Sequence, residues 1–136
     1  DIALADVRKG ADMFRKVHTP ILGVIENMSG LQLKGTVETA DGIAQKDLRM
    51  VFQGIDKEVT TDEKGNFSFL VDLFKSGGGA EESERLGVPL LGKIPISMDI
   101  MSATDGGKPI ILSDPQSTVS EIFRDIAVNI LSQLAN

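Results

Sequence analysis

The spacing of hydrophobic and polar positions changes character twice along this chain. Over residues 2–17, Ala3, Val7, Ala11 and Phe14 recur at i, i+4, i+8 and i+11, one apolar stripe at helical spacing. Asp6, Arg8, Lys9, Asp12, Arg15 and Lys16 fill much of the other side, and Thr19-Pro20 ends the helix. Residues 21–26 form a short apolar run of the kind buried in a parallel sheet. From 30 to 71 the period drops to two: Leu31, Leu33, Val37; Leu48, Met50, Phe52; Phe67, Phe69, Val71. Alternation predicts half-buried, antiparallel strands near 31–38, 47–53, 56–61 and 66–72. Asp41-Gly42, Gly54 to Asp56, and Asp62 to Asn66 supply the turns between them. Phe52, Phe67, Phe69 and Phe74 give this segment an apolar face.

Helical spacing then returns. Ser76 to Gly79 lead into a helix at about 79–86, which Gly87 closes in the left-handed region. A second buried strand is expected at 89–94, a Ser-, Asp- and Gly-rich loop at 97–108, and an extended piece at 109–112. Thr118 with Glu121 reads as a capping box. It opens a last helix carrying Val119, Ile122, Phe123, Ile126, Ile130, Leu131 and Leu134 on one side.

The two apolar strands repeat a phrase. Pro20 to Ile25 and Pro89 to Ile94 both read Pro, two aliphatics, Gly, any residue, Ile, and each follows a helix. Two helix-to-strand units imply an open α/β domain, in which ligands collect beyond the carboxyl ends of the strands. Asn27 and Pro95 stand at those ends.

Composition narrows the chemistry. At 136 residues the chain holds one domain, or one with a small insertion. A net charge of -6 without a basic run argues against nucleic acid or an anionic membrane as partner. No apolar run approaches the roughly 20 residues that span a bilayer, and no signal peptide opens the chain. It begins with Asp1 rather than Met, so it is expected to start inside a longer polypeptide. There is no cysteine and one histidine. Disulfides, thiolate metal sites, cysteine nucleophiles and cysteine-ligated clusters are excluded within this chain.

The outer parts resemble the carboxyl-terminal half of the Mrp/ApbC family, P-loop ATPases that carry iron–sulfur clusters. The resembling phrases are Asp1 to Gly10, Pro20 to Ser29, Phe74 to Gly79, Leu86 to Pro95 and Asp105 to Pro109, in matching order and spacing. They cover residues 1–29 and 72–136. The resemblance implies the second half of a parallel-sheet P-loop NTPase-like domain of the MinD-like subgroup. The parent would bind ATP with Mg²⁺ across a homodimer, in the cytoplasm. It also implies that Asn27 and Pro95 lie on the adenine side of the nucleotide. A carboxamide at a strand end suits a purine edge, because it both donates and accepts hydrogen bonds.

Three departures qualify that implication. The family's Gly-x4-Gly-Lys-Ser/Thr loop is missing, and Gly77-Gly78-Gly79-Ala80 and Gly106-Gly107-Lys108-Pro109 do not replace it. The first lacks Lys, and the second places a proline where an N–H is needed. The family's Cys-x-x-Cys cluster site follows the Asn-Met-Ser phrase, and residues 30–71 stand in its place without a cysteine. Ser97 and Met101 occupy positions where the family often has Asp and Arg. Residues 30–71 in turn resemble a carboxypeptidase regulatory-like β-module, through Gly35-Thr36-Val37, Asp41-Gly42 and Val59 to Phe69. Such modules are structural and carry no catalytic residues.

Each candidate has a plainer reading. Asn27 can simply satisfy a turn at the strand end. Residues 77–79 can be only a helix entry, although helix N-termini attract anions. His18 suits the carboxyl end of a helix. Asp62 with Glu63 is a hairpin turn before it is a Ca²⁺ site, for want of oxygen donors. The sequence thus predicts a partial parallel-sheet P-loop NTPase-like α/β domain with a small inserted antiparallel β-module at 30–71. Its expected role is as part of an ATP-binding cluster carrier, inactive alone, holding neither a tightly bound cofactor nor a cluster through cysteines. Whether it is an enzyme stays open. The alternatives are a non-catalytic scaffold with a protein partner at the β-module edge, or a chimeric fragment.

Overall fold

The computed structural model describes residues 2–73 and 77–135. Helix α1 (Ile2–Lys16) leads to strand β1 (Val24–Thr36), followed by β2 (Arg49–Phe52), β3 (Lys57–Thr60) and β4 (Asn66–Val71). Helix α2 (Gly78–Leu86), strand β5 (Leu90–Ile96), and helices α3 (Met98–Asp105), α4 (Ile110–Ser113) and α5 (Thr118–Leu134) complete the chain. The architecture is mixed α/β. One sheet runs β4-β1-β5 and a second is the β2–β3 hairpin.

The two strands that share a phrase are direct neighbours. β1 and β5 pair in parallel, with Val24 opposite Leu90, Ile25 opposite Gly92 and Asn27 opposite Ile94. The glycine of the second phrase has a packing reason: a Cβ on Gly92 would run into the side chain of Ile126 from α5. On the other face α2 lies against β1, where a Cβ on Gly79 would meet Glu26.

Residues 21–26 and 31–38, expected as separate strands, are largely one. β1 runs 13 residues, with its register to β5 shifting between Asn27 and Leu31. Met28 absorbs the irregularity at φ 56, a left-handed conformation rare for a residue with a side chain. Beyond it β1 pairs antiparallel with β4, Leu31 opposite Val71 through Thr36 opposite Asn66. Leu31, Leu33, Phe67 and Phe69 share one face of this extension, as the alternation predicts. Phe52 of the hairpin packs there, 4.6 Å from Phe69 and 6.1 Å from Phe67 between ring centroids. Gln32, Lys34, Thr36, Asn66 and Ser68 line the opposite face, in a cleft shared with Asp99 of α3 and with Ser117 and Thr118 at the start of α5. Phe74 lies outside the described residues.

Three further expectations are corrected. The loop expected at 97–108 contains α3, because the buried Ser97 accepts a hydrogen bond from Asp99 N–H at 3.3 Å and starts a helix. The extended piece expected at 109–112 is the helical turn α4: Leu112 and Ser113 N–H both donate to Pro109 O. The cap of α5 is Ser117, one residue before the expected Thr118, with Ser117 Oγ accepting from Ser120 N–H at 3.2 Å. Ser120 Oγ donates to Asp114 O at 2.7 Å, which fixes that choice. Ala103, Ile110 and Val119 form the buried cluster beneath these helices, with Ile100 and Phe123 packed on it.

Helix α1 departs most from its pattern. Of its apolar stripe only Ala11 is buried, while Val7 is 52% and Phe14 46% exposed. Much of its polar side faces the body instead. Glu82 of α2, 1% exposed, accepts from Arg85 Nη2 at 2.5 Å and from Arg8 Nε at 3.2 Å. Arg85 also reaches Asp12 at 3.1 Å, and Arg15 Nη2 donates to Leu86 O at 2.8 Å. His18 at φ 58 closes the helix, with Thr19 N–H on Phe14 O. Its place at a helix end is as expected; its left-handed backbone is not visible in the pattern.

The hydrogen bonds from Arg85, and secondarily from Arg8, hold the Glu82 carboxyl below its ordinary value of 4.5. A depressed folded value means that the stability it contributes is full above pH 4.5 and is lost as pH falls through the folded value. Glu82→Gln should destabilise the fold by about 1–2 kcal/mol near neutral pH, because the half-exposed Arg8 and Arg85 lose the buried carboxylate between them but keep Glu81 and Asp12. It should also flatten the acid limb of stability against pH. Urea unfolding at pH 7 and at pH 3 checks both, and an unchanged acid limb would exclude Glu82 as its source.

Candidate functional site

Asn27 does not end a strand as expected, since β1 runs on to Thr36; where the register of β1 to β5 shifts after Asn27, beside the carboxyl end of β5, the sheet opens into a cavity of about 660 Å³. Its wall combines Ile25, Asn27 and Met28 from β1, Ile94 to Ser97 from β5 and its exit, Ile100 and Met101 from α3, and Phe123 from α5. Asn27 and Pro95 therefore border the same space. Parallel pairing puts Asn27 beside Ile94, so Pro95 is the next residue along the neighbouring strand.

Each group has a definite local role. Asn27 is exposed, and its Oδ1 accepts from Met28 N–H at 3.0 Å. That bond fixes the carboxamide plane, with the two Nδ2 hydrogens and the second lone pair of Oδ1 still to be placed. It also serves the turn that the plainer reading gives this residue. Pro95 is buried and contributes a rigid apolar wall. Ser97 is buried and spends its hydroxyl on capping α3. Met101, 50% exposed, adds apolar surface where a cation would have added charge. Met28 was missed as a site residue; the only hint is its place directly after Asn27, where the strand must bulge. The chemistry available is a mostly apolar slot with one carboxamide at its rim.

The glycine-rich segments do not form a phosphate cradle. Gly106, Gly107 and Lys108 donate their N–H groups to Ser102, Thr104 and Ala103 carbonyls at 2.9–3.0 Å, closing α3, and Pro109 has none. At the start of α2 the place of a Gly79 side chain is taken by Glu26, whose Oε2 lies 2.8 Å from that position. A carboxylate at a helix N-terminus uses the dipole that would have favoured an anion there. Asp62 is likewise committed: Oδ1 accepts from Lys64 and Asn66 N–H, both at 2.8 Å. Those bonds, led by the Asn66 N–H, pull its pKa below the usual carboxylate value. Among the described residues no three His, Asp or Glu side chains are placed to hold a metal ion.

A family model described as ParA, the NUBPL iron-transfer P-loop NTPases, matches residues 1–62 and 64–131. The chain belongs to this family. An iron–sulfur cluster carrier protein of Pseudomonas fragi is 32% identical over 128 residues, 94% of this chain and 34% of the relative. The iron–sulfur cluster transfer protein NUBPL of Dictyostelium discoideum is 30% identical over 134 residues, 98% of this chain and 32% of the relative. A carrier protein of Aquifex aeolicus is 34% identical over 134 residues, 98% of this chain and 28% of the relative. The NUBPL-family chain thus spans about a third of the curated relatives it matches. The family match continues past residue 29 into the β-extension, as β1 itself does. Among the described residues no helix is long and apolar enough to cross a membrane.

Gly79 offers a test with a diagnostic sign. Helix propensity alone predicts that Gly79→Ala stabilises by about 1 kcal/mol. Packing predicts the reverse, a loss of about 1–3 kcal/mol as the new methyl displaces Glu26. A lowered denaturant midpoint is expected, and a raised one would show that Glu26 does not occupy this place.

Proposed function

We propose that this NUBPL-family chain supplies the base-side half of a nucleotide site in a cluster-carrier ATPase. The observation that carries the reading is that Asn27 and Pro95, on adjacent parallel strands, border one cavity with apolar walls. A purine is flat and apolar on its faces and polar at its edge. Ile25, Ile96, Ile100 and Phe123 suit the faces, and the carboxamide of Asn27 suits the edge. The triphosphate with its Mg²⁺ does not fit the residues present. The nearby backbone N–H groups of Gly106 to Lys108 are spent on α3, and Glu26 would repel phosphate at the start of α2.

In this reading residues 1–29 and 72–136 are the carboxyl-terminal part of the ATPase domain, and 30–71 is an inserted β-module standing where relatives would carry the cluster thiols. The chain holds no cluster through cysteine, since it has none. Binding and hydrolysis of ATP, homodimerisation through the ATPase domain, cluster transfer and a cytoplasmic setting belong to the whole protein of which this is the base-side part. A scaffold role is the second reading. It is favoured by the outer edge of β4, which has no strand partner among the described residues and can add a strand from a partner.

Adenosine and ATP with Mg²⁺ separate the parts of this proposal. Labelled adenosine should bind weakly and ATP no more tightly, with no turnover above background. Asn27→Ala should weaken adenosine by about 5–10-fold, the loss of one or two hydrogen bonds. Adenosine that fails to bind, or binds Asn27→Ala unchanged, would overturn the base-pocket assignment. Turnover of ATP would overturn the claim of inactivity.

A further inference from the structure

The first turn of α3 borders two hollows. One is the cavity beside Asn27, to which it gives Ile100 and Met101. The other is the polar cleft, of about 690 Å³, between the β-extension and the starts of α3 and α5. A helix turn with open space on two sides is not placed by close packing alone, as a core helix is. Ile100 rests on the cluster of Ala103, Ile110 and Val119. Discrete polar bonds supply the rest. Ser97 Oγ accepts from Asp99 N–H and fixes where the helix begins. Lys34 of β1 reaches across the cleft, and its Nζ donates to Asp99 Oδ2 at 2.5 Å.

Lys34 and Asn27 belong to the same strand, on either side of the irregularity at Met28. The bond from Lys34 to Asp99 therefore closes a ring of strand, ion pair and helix turn around the cavity. Asn27 and Met28 wall the cavity from β1, and Ile100 and Met101, which wall it from α3, directly follow Asp99. Successive helix residues point about 100° apart, so one turn can present Asp99 to the cleft and the next two side chains to the cavity. Asp99 suits this place. A carboxylate is favoured in the first turn of a helix. Its side chain is 25% exposed, against 52% for Lys34, so the pair is less screened than one wholly in solvent.

We propose that Lys34 and Asp99 are a positioning pair for the base-side cavity, tying the β-extension to the first turn of α3 and so holding Ile100 and Met101 at a set distance from Asn27. Neither residue touches the ligand; both act through α3. Their role toward a base rests on the base-pocket reading, whereas their hold on α3 does not. Residues 30–71 thereby become part of the framework of the site.

Lys34→Met removes the charge and keeps most of the side-chain length. Recorded without ligand, the methyl resonances of Ile100 and Met101 should shift in Lys34→Met and return in Lys34→Arg, while those of the buried Leu91 and Ile126 stay in place. Adenosine should bind Lys34→Met about 3–5-fold more weakly, the upper range for a partly exposed ion pair, and Lys34→Arg within about 1.5-fold of the unmodified chain. Asp99→Asn should cost as much, and the double variant no more than either single one. Ile100 and Met101 methyls that do not move, or that move together with Leu91 and Ile126, would overturn the proposal. So would unchanged adenosine affinity in Lys34→Met, or losses that add in the double variant. An unmodified chain that fails to bind adenosine, yet shows the methyl shifts and their reversal by Lys34→Arg, would sink the base-pocket reading and support the positioning pair.

Discussion

Everything in this molecule is hung on one strand. β1 is half of a parallel pair with β5 at its start and half of an antiparallel pair with β4 at its end. Backbone hydrogen bonds of both kinds must be satisfied along a single 13-residue segment. The cost is concentrated at Met28, whose left-handed backbone accompanies the shift of register. That same place ends the α/β layer, holds Asn27 at the cavity rim and starts the β-extension. Site and extension therefore cannot be altered independently.

The layers on either side of β1 are fixed by unlike means. On one face α5 packs tightly enough that Gly92 has no room for a methyl group. On the other, α1 is anchored chiefly by the Arg8, Glu82, Arg85 and Asp12 network. A buried carboxylate between two guanidinium groups is geometrically demanding and gives orientation more than net stability. It sets the angle at which α1 overhangs β1 while leaving most of its apolar residues available.

Elements with long-range periodicity were legible in the sequence, and those set by local hydrogen bonding were not. Helices α1, α2 and α5 and the alternating strands of the extension lie where their patterns place them, including the left-handed Gly87 that closes α2. α3 was hidden because it is only 8 residues long, too short to show a helical period, and its start depends on the Ser97 hydroxyl meeting Asp99 N–H. α4 was hidden because Pro109-Ile110-Ile111-Leu112 reads equally as strand or turn until Pro109 O accepts two N–H groups. The stripe on α1 was legible as a stripe, but periodicity does not say which partner, if any, covers it. At the site, Asn27 and Pro95 were found through family resemblance, whereas Met28 follows only from the three-dimensional register.

The bulge at Met28 also governs how this protein can change length. Side chains on a strand alternate between faces, so one residue removed between Asn27 and Leu31 would rotate the whole outer half of β1 by half a turn. Leu31 and Leu33 would then point toward Asp99 and Ser117, and Gln32 and Lys34 toward the phenylalanines. Residues 38–65, by contrast, connect two strands whose register is already set by their own pairing. Gains and losses of sequence over evolutionary time are therefore expected to accumulate in the hairpin tip and to be purged from the four residues after Glu26, whatever the protein carries.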